Sequence, residues 1–383
     1  MGLSIGVLKE TFPGERRVAI TPKVMDLLSK AGATVCVEAG AGLESGFSDE
    51  DYTAKGAKIA ANAAAVAADA QVLLTVRAPE PAGLVRKEQI LIGFCDPLSE
   101  PQLAAAYAHA GATLFSMELV PRITRAQSMD ALSSMASVAG YKAVLIAAST
   151  LPRLFPMMTT AAGTVPPARV LVIGAGVAGL QAIATARRLG AVVSGYDVRS
   201  AVKEQIESLG AKFVNITIGA GGEGQGGYAR ALTDEEIRSQ REQMAAVLKE
   251  QDVVITTAAV PGRKAPILVT RDMVHVMSPG SVIVDLAAER GGNCEVTQPG
   301  ATVVENGVIV VGPVNLPASV PNHSSQMYGR NIVTFLKNMM TKEGALNIDT
   351  ADEITRESLV VLKGEVVNPR VQALLGAGTT TAS

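Results

Sequence analysis

The sequence predicts an α/β fold in which two doubly wound domains are joined by long helices, with a cleft between the domains. Short apolar segments typical of strands alternate with helix-like segments along most of the chain, which favours parallel βαβ units. A glycine-rich turn follows one such strand in the second half, and a long proline-free stretch separates the halves. These observations predict one domain at residues 1–125, completed by 320–383, a linking helix at 126–150, and a second domain at 151–319.

The composition agrees with a large folded core and excludes several classes of protein. Of the 383 residues, 48% are hydrophobic, and 34 Lys and Arg against 36 Asp and Glu leave a formal net charge of −2. This balance argues against a nucleic-acid-binding surface. The N-terminus does not resemble a signal peptide, and no apolar run approaches the roughly 20 residues that span a bilayer. Cys36, Cys95 and Cys294 are far apart in sequence, which predicts reduced thiols and no metal site.

The individual elements follow from the apolar pattern. The strands predicted in the first half are Ile5–Leu8, Thr34–Glu38, Val72–Val76, Ile90–Phe94 and Thr113–Met117. The helices predicted there are Pro22–Ala31, Asp49–Lys55 and Pro101–Ala110. The strands predicted later are Val192–Tyr196, Lys212–Val214, Val253–Thr256 and Ser281–Asp285. Helices are expected from about Thr233 to Glu250 and from about Ser324 to Met340, and Thr124 is expected to cap the linking helix.

A G-x-G-x-x-G motif follows the apolar run 169–173 and precedes residues that favour a helix. We expect Gly174 to form a turn, Gly176 to let the backbone approach a pyrophosphate, and Gly179 to let helix and strand pack closely. The pyrophosphate would bind at the helix N-terminus, where free N–H groups and the helix dipole favour negative charge. The order of strand, turn and helix therefore predicts a Rossmann-like dinucleotide-binding domain. In alanine- and glycine-rich chains the same motif also occurs as a close packing turn.

The next predicted strand delivers Asp197 about 20 residues after the motif, where this fold uses an acid to bind the adenosine ribose. A carboxylate there accepts hydrogen bonds from a 2′-hydroxyl and repels a 2′-phosphate, so we expect NAD rather than NADP. Arg199 keeps the phosphorylated cofactor open as an alternative, because a guanidinium binds phosphate. A second interpretation is that Asp197 caps the following helix.

Residues 219–228 contain six glycines and one aromatic residue, Tyr228. Glycine loses much conformational entropy on ordering, so the sequence predicts a mobile loop. One interpretation is a tolerated surface loop. The other is a lid that closes over the nucleotide with Tyr228 as its anchor.

Candidates for acid–base chemistry are scarce. Dehydrogenases that act on alcohols, hydroxy acids or amines move a proton as well as a hydride. The chain has three histidines, of which His109 and His275 lie in helical segments typical of packed or solvated side chains, and His323 lies at a helix start or lines a cleft. A hydride transfer between two nicotinamides releases no proton, so this scarcity favours that class of reaction.

Polar side chains follow one face of the predicted linking helix. Gln127, Asp130 and Ser133, or the next serine, fall at helical spacing on this face. Their amide, carboxylate and hydroxyl groups suit a carboxamide and a ribose, and Arg122 is placed to hold the carboxamide oxygen. The alternative is a capping box of Thr124 with Gln127 on a solvated helix face.

Residues 121–134, 161–170 and 285–294 closely resemble the NAD(H)-binding component, domain I, of proton-translocating nicotinamide nucleotide transhydrogenase. The similarity covers nearly the whole chain, and the R-A-Q-S-M-D run at 125–130 is highly specific. The resemblance implies a homodimer of two-lobed subunits that binds NADH and passes hydride directly to NADP⁺ on a separate domain. A membrane domain couples this transfer to proton movement. It thus implies an alpha-type subunit of a Re/Si-specific NAD(P)⁺ transhydrogenase.

The resemblance also assigns residues and partners. The side chains expected at the nicotinamide end are Arg122, Gln127, Asp130 and Ser133. The residues expected at the pyrophosphate and adenosine side are Gly176, Val177, Asp197, Thr257 and Ala258, with Tyr228 closing on the nucleotide. Because the long membrane helices are missing, the chain resembles the arrangement in which this component is a separate polypeptide. The NADP(H)-binding and membrane-spanning parts would be other subunits, with this chain cytoplasmic and peripheral on the inner face of the cytoplasmic membrane.

Alanine dehydrogenases provide the alternative function, because their N-terminal pattern is visible at 6–10, 17–19 and 38–42. However, their catalytic lysine falls in a K-x-K-E-P run where this chain has Thr75–Pro79, and their catalytic histidine falls where it has Gly93–Asp96. Both differences argue against amino-acid chemistry. A third hypothesis is an NAD-sensing subunit that binds NADH without transferring hydride.

Overall fold

The computed structural model describes residues 2–216, 234–258, 262, 264–341 and 344–378. They divide into two compact units: unit 1 comprises Met1–Met135 and Pro317–Ser383, and unit 2 comprises Ala136–Leu316. The division falls within the long helix that the sequence assigns to a segment of its own. Each unit contains a largely parallel sheet, so the predicted α/β class with two Rossmann-like domains is confirmed.

Strands and helices alternate through both units. The strands are β1 (Ser4–Val7), β2 (Thr34–Glu38), β3 (Lys58–Ala60), β4 (Val72–Arg77), β5 (Ile90–Phe94), β6 (Thr113–Ser116), β7 (Met158–Thr160), β8 (Gly163–Val165), β9 (Arg169–Ile173), β10 (Val192–Tyr196), β11 (Lys212–Phe213), β12 (Val253–Thr256), β13 (Val282–Asp285), β14 (Thr302–Glu305), β15 (Val308–Val311), β16 (Leu359–Leu362) and β17 (Glu365–Val366). The helices are α1 (Pro22–Ser29), α2 (Asp49–Thr53), α3 (Ala63–Asp69), α4 (Pro101–His109), α5 (Ala131–Thr150), α6 (Val177–Arg188), α7 (Lys203–Ser208), α8 (Asp234–Leu248), α9 (Arg271–His275), α10 (Pro321–Asn338), α11 (Glu353–Ser358) and α12 (Pro369–Gly378).

The sheet of unit 1 has the strand order β17-β16-β6-β5-β4-β1-β2-β3. Strands β1 to β6 pair in parallel, whereas β16 pairs antiparallel with both β6 and β17. Apolar side chains fill both faces, because successive residues of a strand point to opposite sides. Thus Val72 and Leu74 of β4 join one buried cluster with Phe335 of α10, and Leu73 joins another with Tyr107 of α4.

The main sheet of unit 2 has the strand order β11-β10-β9-β12-β13-β15-β14, and the hairpin β7–β8 stands apart from it. Strand β9 lies between β10 and β12 and pairs in parallel with both. Side chains of α5 and α6 cover one face of the sheet, and those of α8 and α9 cover the other. Because β10 lies on one side of β9 and β12 on the other, the order of strands along the sheet reverses at β9. Ligands of such folds bind beyond the carboxyl ends of the strands at this point.

The linking helix begins later than predicted. Residues Thr124–Met129 form a 3-10 helix, Asp130 has a non-helical backbone (φ −72°, ψ 88°), and α5 begins at Ala131. The expected capping role of Thr124 was therefore wrong. Asp130 takes this role, because its Oδ1 accepts a hydrogen bond from the N–H of Ser133 at 2.8 Å.

Helix α5 is by length and composition long and apolar enough to cross a membrane, contrary to our expectation that no segment approaches that size. Its residues Ala143, Val144 and Ala147 are fully buried in the core of unit 2. A Cβ on Gly140 would lie 2.1 Å from the carbonyl oxygen of Ala178, so α5 packs closely on α6. Core packing thus accounts for part of the apolar composition of this helix.

Candidate nucleotide-binding site

The glycine turn, residues 174–179, connects the end of β9 to the start of α6. Gly174 has φ +100°, a conformation that favours glycine, and its N–H donates to the carbonyl of Tyr196 at 2.8 Å. A Cβ on Gly179 would lie 1.8 Å from the carbonyl oxygen of Gly174, whereas a Cβ on Gly176 would meet nothing within 4 Å. One glycine therefore forms the turn, one permits tight packing, and Gly176 leaves open space beside the first residue of α6, Val177, which is exposed.

Asp197 follows β10 directly and touches the glycine turn. Its Oδ2 accepts a hydrogen bond from the N–H of Ala175 at 2.7 Å. The Arg199 guanidinium binds the same carboxylate in a forked arrangement, with Nε 3.0 Å from Oδ1 and Nη2 2.9 Å from Oδ2. The Arg199 N–H adds a further bond of 2.9 Å to Oδ1. The structure thus pairs the two residues that the sequence presents as competing specificity signals.

The charge of Asp197 depends on these partners. Burial opposes ionisation, but the hydrogen bonds from Arg199 and from the Ala175 N–H outweigh it, so the pKa of Asp197 is lowered below its ordinary value. The same pairing raises the pKa of Arg199. The Asp197 side chain is 7% exposed and that of Arg199 is 51% exposed, so the guanidinium is the partner that can move away. An ionised acceptor thus lies next to the glycine turn.

Thr257 and Ala258 follow β12 directly, and these two residues, called here the loop after β12, lie against the same turn. The Thr257 N–H donates to the carbonyl of Ile173 at 2.9 Å, and the Thr257 hydroxyl donates to the carbonyl of Gly174 at 3.0 Å. Ala258 follows, and its N–H donates to the side chain of Asn293 at 2.9 Å. Thr257 and Ala258 therefore belong to one hydrogen-bonded assembly with the first glycine of the motif.

The candidate residues of unit 1 lie on an irregular segment rather than on one helical face, so that expectation was wrong. Gln127 belongs to the 3-10 helix, Asp130 interrupts the backbone, and Ser133 lies in the first turn of α5. The Ser133 hydroxyl donates to Asp130 Oδ2 at 2.6 Å. Arg122 and Gln127 are exposed, and Asp130 and Ser133 are half-buried. The structure therefore joins Asp130 with Ser133 by hydrogen bonds, whereas Arg122 and Gln127, which are close to them in sequence, point to solvent.

The R-A-Q-S-M-D segment, Arg125–Asp130, is attached to the C-terminal part of unit 1. Asn331 of α10 donates from Nδ2 to the carbonyl of Ser128 at 2.9 Å. Arg125 forms an ion pair with Asp352, and its Nη1 donates to Asn338 Oδ1 at 3.1 Å. Residues distant in sequence therefore set the path of this segment.

Three further expectations concern Tyr228, the histidines, and the cysteines as metal ligands. Tyr228, the expected anchor of a lid, lies outside the described residues. His275, the only histidine between residues 136 and 316, ends α9 and lies 2.7 Å from Glu305 through its Nε2. Within the described ranges no group of His, Cys, Asp or Glu has the arrangement of a metal site, and Cys36, Cys95 and Cys294 are free and buried.

Comparison with known proteins identifies the family. The family described as "Alanine dehydrogenase/PNT, C-terminal domain" matches residues 143–369, and that described as "Alanine dehydrogenase/PNT, N-terminal domain" matches residues 6–139. The chain belongs to the alanine dehydrogenase/PNT family. The two matches together span both units of the fold.

Relatives within the alanine dehydrogenase/PNT family differ in similarity. An NAD(P) transhydrogenase alpha-subunit polypeptide of Rhodospirillum rubrum is 45% identical over 98% of this chain and 100% of its own length. A solved structure of transhydrogenase from Sinorhizobium meliloti is 46% identical, with a TM-score of 0.86 over 95% of this chain and 100% of that chain. The alanine dehydrogenase of Bacillus subtilis is 31% identical over 97% of this chain and 94% of its own length. The resemblance to transhydrogenase is confirmed, and alanine dehydrogenases are more distant.

Sequence reasoning missed two buried residues of this family member, Asp285 and Asn293, which support the loop after β12. Both belong to the D-L-A-A-E-R-G-G-N-C segment that carries part of the resemblance. The signal available in the sequence was the pair Gly291-Gly292. Both residues adopt positive φ (92° and 79°), a conformation that glycine favours, and they let the chain fold back around the Asp285 carboxylate. In the sequence this segment indicates the family, and its supporting role is visible only in the fold.

Proposed function

We propose that this protein is the NAD(H)-binding alpha-type subunit of a proton-translocating NAD(P)⁺ transhydrogenase. In this function NADH held by the chain passes hydride directly to NADP⁺ held by a partner subunit, and the partner couples the transfer to proton movement across a membrane. The observation that carries the proposal is the glycine turn with an ionised Asp197 beside it, at the point where strand order reverses. The 45% identity to a transhydrogenase alpha subunit over nearly the whole chain supports the choice of reaction.

The geometry of unit 2 fits a dinucleotide with an unphosphorylated ribose. Open space at Gly176 admits a pyrophosphate to the N-terminus of α6, where the first helical N–H groups point outward. Asp197 would accept hydrogen bonds from the adenosine ribose once Arg199 swings away. The bound nicotinamide would supply the hydride chemistry, while Thr257 and Ala258 line the adenosine side.

The residues of unit 1 would orient the reacting ring. We assign contacts with the nicotinamide end to Arg122, Gln127, Asp130 and Ser133, as the resemblance implies. The hydrogen bonds from Ser133 to both oxygens of Asp130 fix that carboxylate at the start of α5. Transfer between two nicotinamides leaves no proton to be removed, so positioning rather than acid–base catalysis is the task of these side chains.

The assembly we propose is a homodimer, cytoplasmic and peripheral on the inner face of the cytoplasmic membrane through its partners. An exposed apolar surface on the β7–β8 hairpin supports self-association: Met157, Met158 and Val165 are 64%, 44% and 47% exposed. Burying such side chains is favourable, and a second copy would provide the matching surface. Light scattering of the purified chain would test the dimer, with Met158→Glu expected to shift it towards monomer.

The test of function combines the purified chain with the NADP(H)-binding component of a transhydrogenase. We expect NADPH-dependent reduction of an acetylpyridine analogue of NAD⁺, and no oxidation of alanine by NAD⁺. Turnover of alanine would favour the alanine dehydrogenase alternative. Tight NADH binding without transfer to the partner's nucleotide would instead favour an NAD-sensing subunit, and either result would overturn the proposal.

A further inference from the structure

We propose that the Asn293 carboxamide is a positioning residue that holds the loop after β12 in the shape required by the adenosine half of NAD(H). The inference rests on the proposed function. It assigns no new chemistry to the reaction. It assigns the affinity for the adenosine end to a buried side chain that need not touch the nucleotide.

The support for Asn293 begins at Asp285, the last residue of β13. The fully buried Asp285 carboxylate accepts five hydrogen bonds. They come from the Thr256 hydroxyl (2.9 Å), the Ala287 N–H (3.0 Å), the Asn293 N–H (2.7 Å), the Cys294 N–H (2.9 Å) and the Thr297 hydroxyl (2.7 Å). A buried carboxylate with this many donors organises the backbone around it, because each donor would otherwise be left unsatisfied. The Asp285 carboxylate thus fixes the position of the Asn293 backbone.

The Asn293 side chain then binds the backbone of the neighbouring loop through all of its polar atoms. Its Oδ1 accepts from the Ala258 N–H at 2.9 Å, and its Nδ2 donates to the carbonyls of Ala258 at 2.8 Å and Pro266 at 2.9 Å. A primary amide offers one acceptor oxygen and two donor hydrogens, and each is used here. Asn293 is fully buried, so these contacts are made without competition from solvent.

The loop after β12, which Asn293 binds, also contacts the glycine turn. Ala258 follows Thr257, whose hydroxyl donates to the carbonyl of Gly174. A Cβ on Gly174 would lie 2.5 Å from that hydroxyl, so the two segments are in tight contact. A displacement of Ala258 therefore changes the surface beside the first glycine, which lies on the adenosine and pyrophosphate side of the proposed site.

The substitution that tests this role is Asn293→Asp, which keeps the shape and replaces the two N–H donors with an acceptor oxygen. That oxygen would face the carbonyls of Ala258 and Pro266, so attraction becomes repulsion. Asn368→Asp is the matched control. Asn368 is also buried and also holds backbone, donating to the carbonyl of Glu357 and accepting from the Arg370 N–H, but it belongs to unit 1.

The experiment measures dissociation constants of NADH and of 5′-AMP, melting temperature, and the single-turnover hydride-transfer rate at saturating NADH with the NADP(H)-binding component. For Asn293→Asp we expect both dissociation constants to rise by the same factor, about tenfold, with the saturated rate within about twofold of wild type. Asn368→Asp should lower the melting temperature without changing either dissociation constant.

The inference is overturned if Asn293→Asp binds both ligands as wild type does, if only NADH binding weakens, or if the saturated rate falls with affinity. If Asn293→Asp fails to fold, Asn293→Ala provides the decision, because it removes the three hydrogen bonds to Ala258 and Pro266 without placing a carboxyl group in the core. Its AMP affinity must then fall, and an unchanged value overturns the inference. Wild-type protein that does not bind NADH would refute the proposed function and this inference together, whereas binding by wild type and Asn293→Asp alike would refute this inference alone.

Discussion

The glycine turn of unit 2 and the R-A-Q-S-M-D segment of unit 1 each carry residues that we expect to contact the nucleotide, but they are built in different ways. The turn is determined by backbone: Gly174 adopts positive φ, and Gly179 has no room for a side chain. The segment is determined by side chains from distant residues, Asn331 and Asp352, which hold Ser128 and Arg125. We infer that the turn offers a preformed surface to the nucleotide, whereas the segment presents half-buried and exposed groups whose position depends on their support.

The largest expected effect comes from Gly179→Ala. The added methyl would overlap the carbonyl of Gly174, a backbone atom that cannot easily move, so we expect the free energy of unfolding to fall by about 3 kcal/mol and NADH binding to be lost. Gly176→Ala is the control: its methyl enters open space at φ −77°, so stability should change by less than about 0.5 kcal/mol. NADH affinity should still fall, because the methyl lies where the pyrophosphate would approach. Thermal melts and fluorescence titration measure both, and a Gly179→Ala protein as stable as wild type would contradict the packing role.

The next effect concerns the rate of hydride transfer. Gln127→Ala and Asp130→Asn should each slow single-turnover transfer by about 10- to 100-fold, because the ring loses its fixed orientation. The dissociation constant of NADH should change much less. Asn at position 130 retains an oxygen that can cap α5, so the fold is kept. Ser128→Ala is the control on the same segment and should transfer at the wild-type rate. Equal losses in affinity and in rate would place these residues in binding rather than in orientation.

A smaller effect is expected on cofactor choice. Asp197→Asn should weaken NAD(H) binding by about tenfold, since a hydrogen bond to a charged acceptor is lost, while it releases Arg199 to bind a 2′-phosphate. NADP(H) binding should therefore improve, and Asp197→Asn with Arg199→Ala should remove the improvement. Dissociation constants for both cofactors test this pair.

Because the pKa of Asp197 is lowered, the wild-type preference for NAD(H) over NADP(H) should stay constant through neutral pH. A preference that changes there would show that another group decides it.

The smallest effect concerns the support of the R-A-Q-S-M-D segment. Burial opposes ionisation of Asp352, but hydrogen bonds from Arg125, Thr355 and Asn338 dominate and lower its pKa to about 2. A carboxyl with a lowered pKa stabilises the fold above its unfolded pKa of about 3.9 and loses this contribution as the pH falls towards 2. We expect Asp352→Asn to cost at most about 1 kcal/mol at neutral pH, with the difference from wild type shrinking in acid. Denaturant titrations at several pH values measure it, and a difference that grows in acid would reverse the assignment.

Local rules explain which parts could be predicted. The order of β9, glycine turn and α6 depends on neighbours in sequence, since positive φ and close packing are properties of glycine itself. The start of α5 was missed, because helix propensity alone did not distinguish residue 126 from Ala131, and the non-helical backbone of Asp130 separates a 3-10 helix from an α-helix. Strands β16 and β17 were also missed. They are short, and β16 pairs with β6, more than 200 residues earlier in the chain.

The sequence by itself determined the parallel strands of the two sheets, the glycine turn, the acid after β10 and the family. Each is encoded by residue type at fixed spacing, through alternation of apolar segments and the steric freedom of glycine. Only the tertiary structure decided that Asp197 is paired with Arg199, that Asp285 and Asn293 hold the loop after β12, and that Asp130 caps α5. These contacts join residues whose separation in sequence carries no information about their distance, because hydrogen bonds between loops depend on where the sheet brings the strand ends.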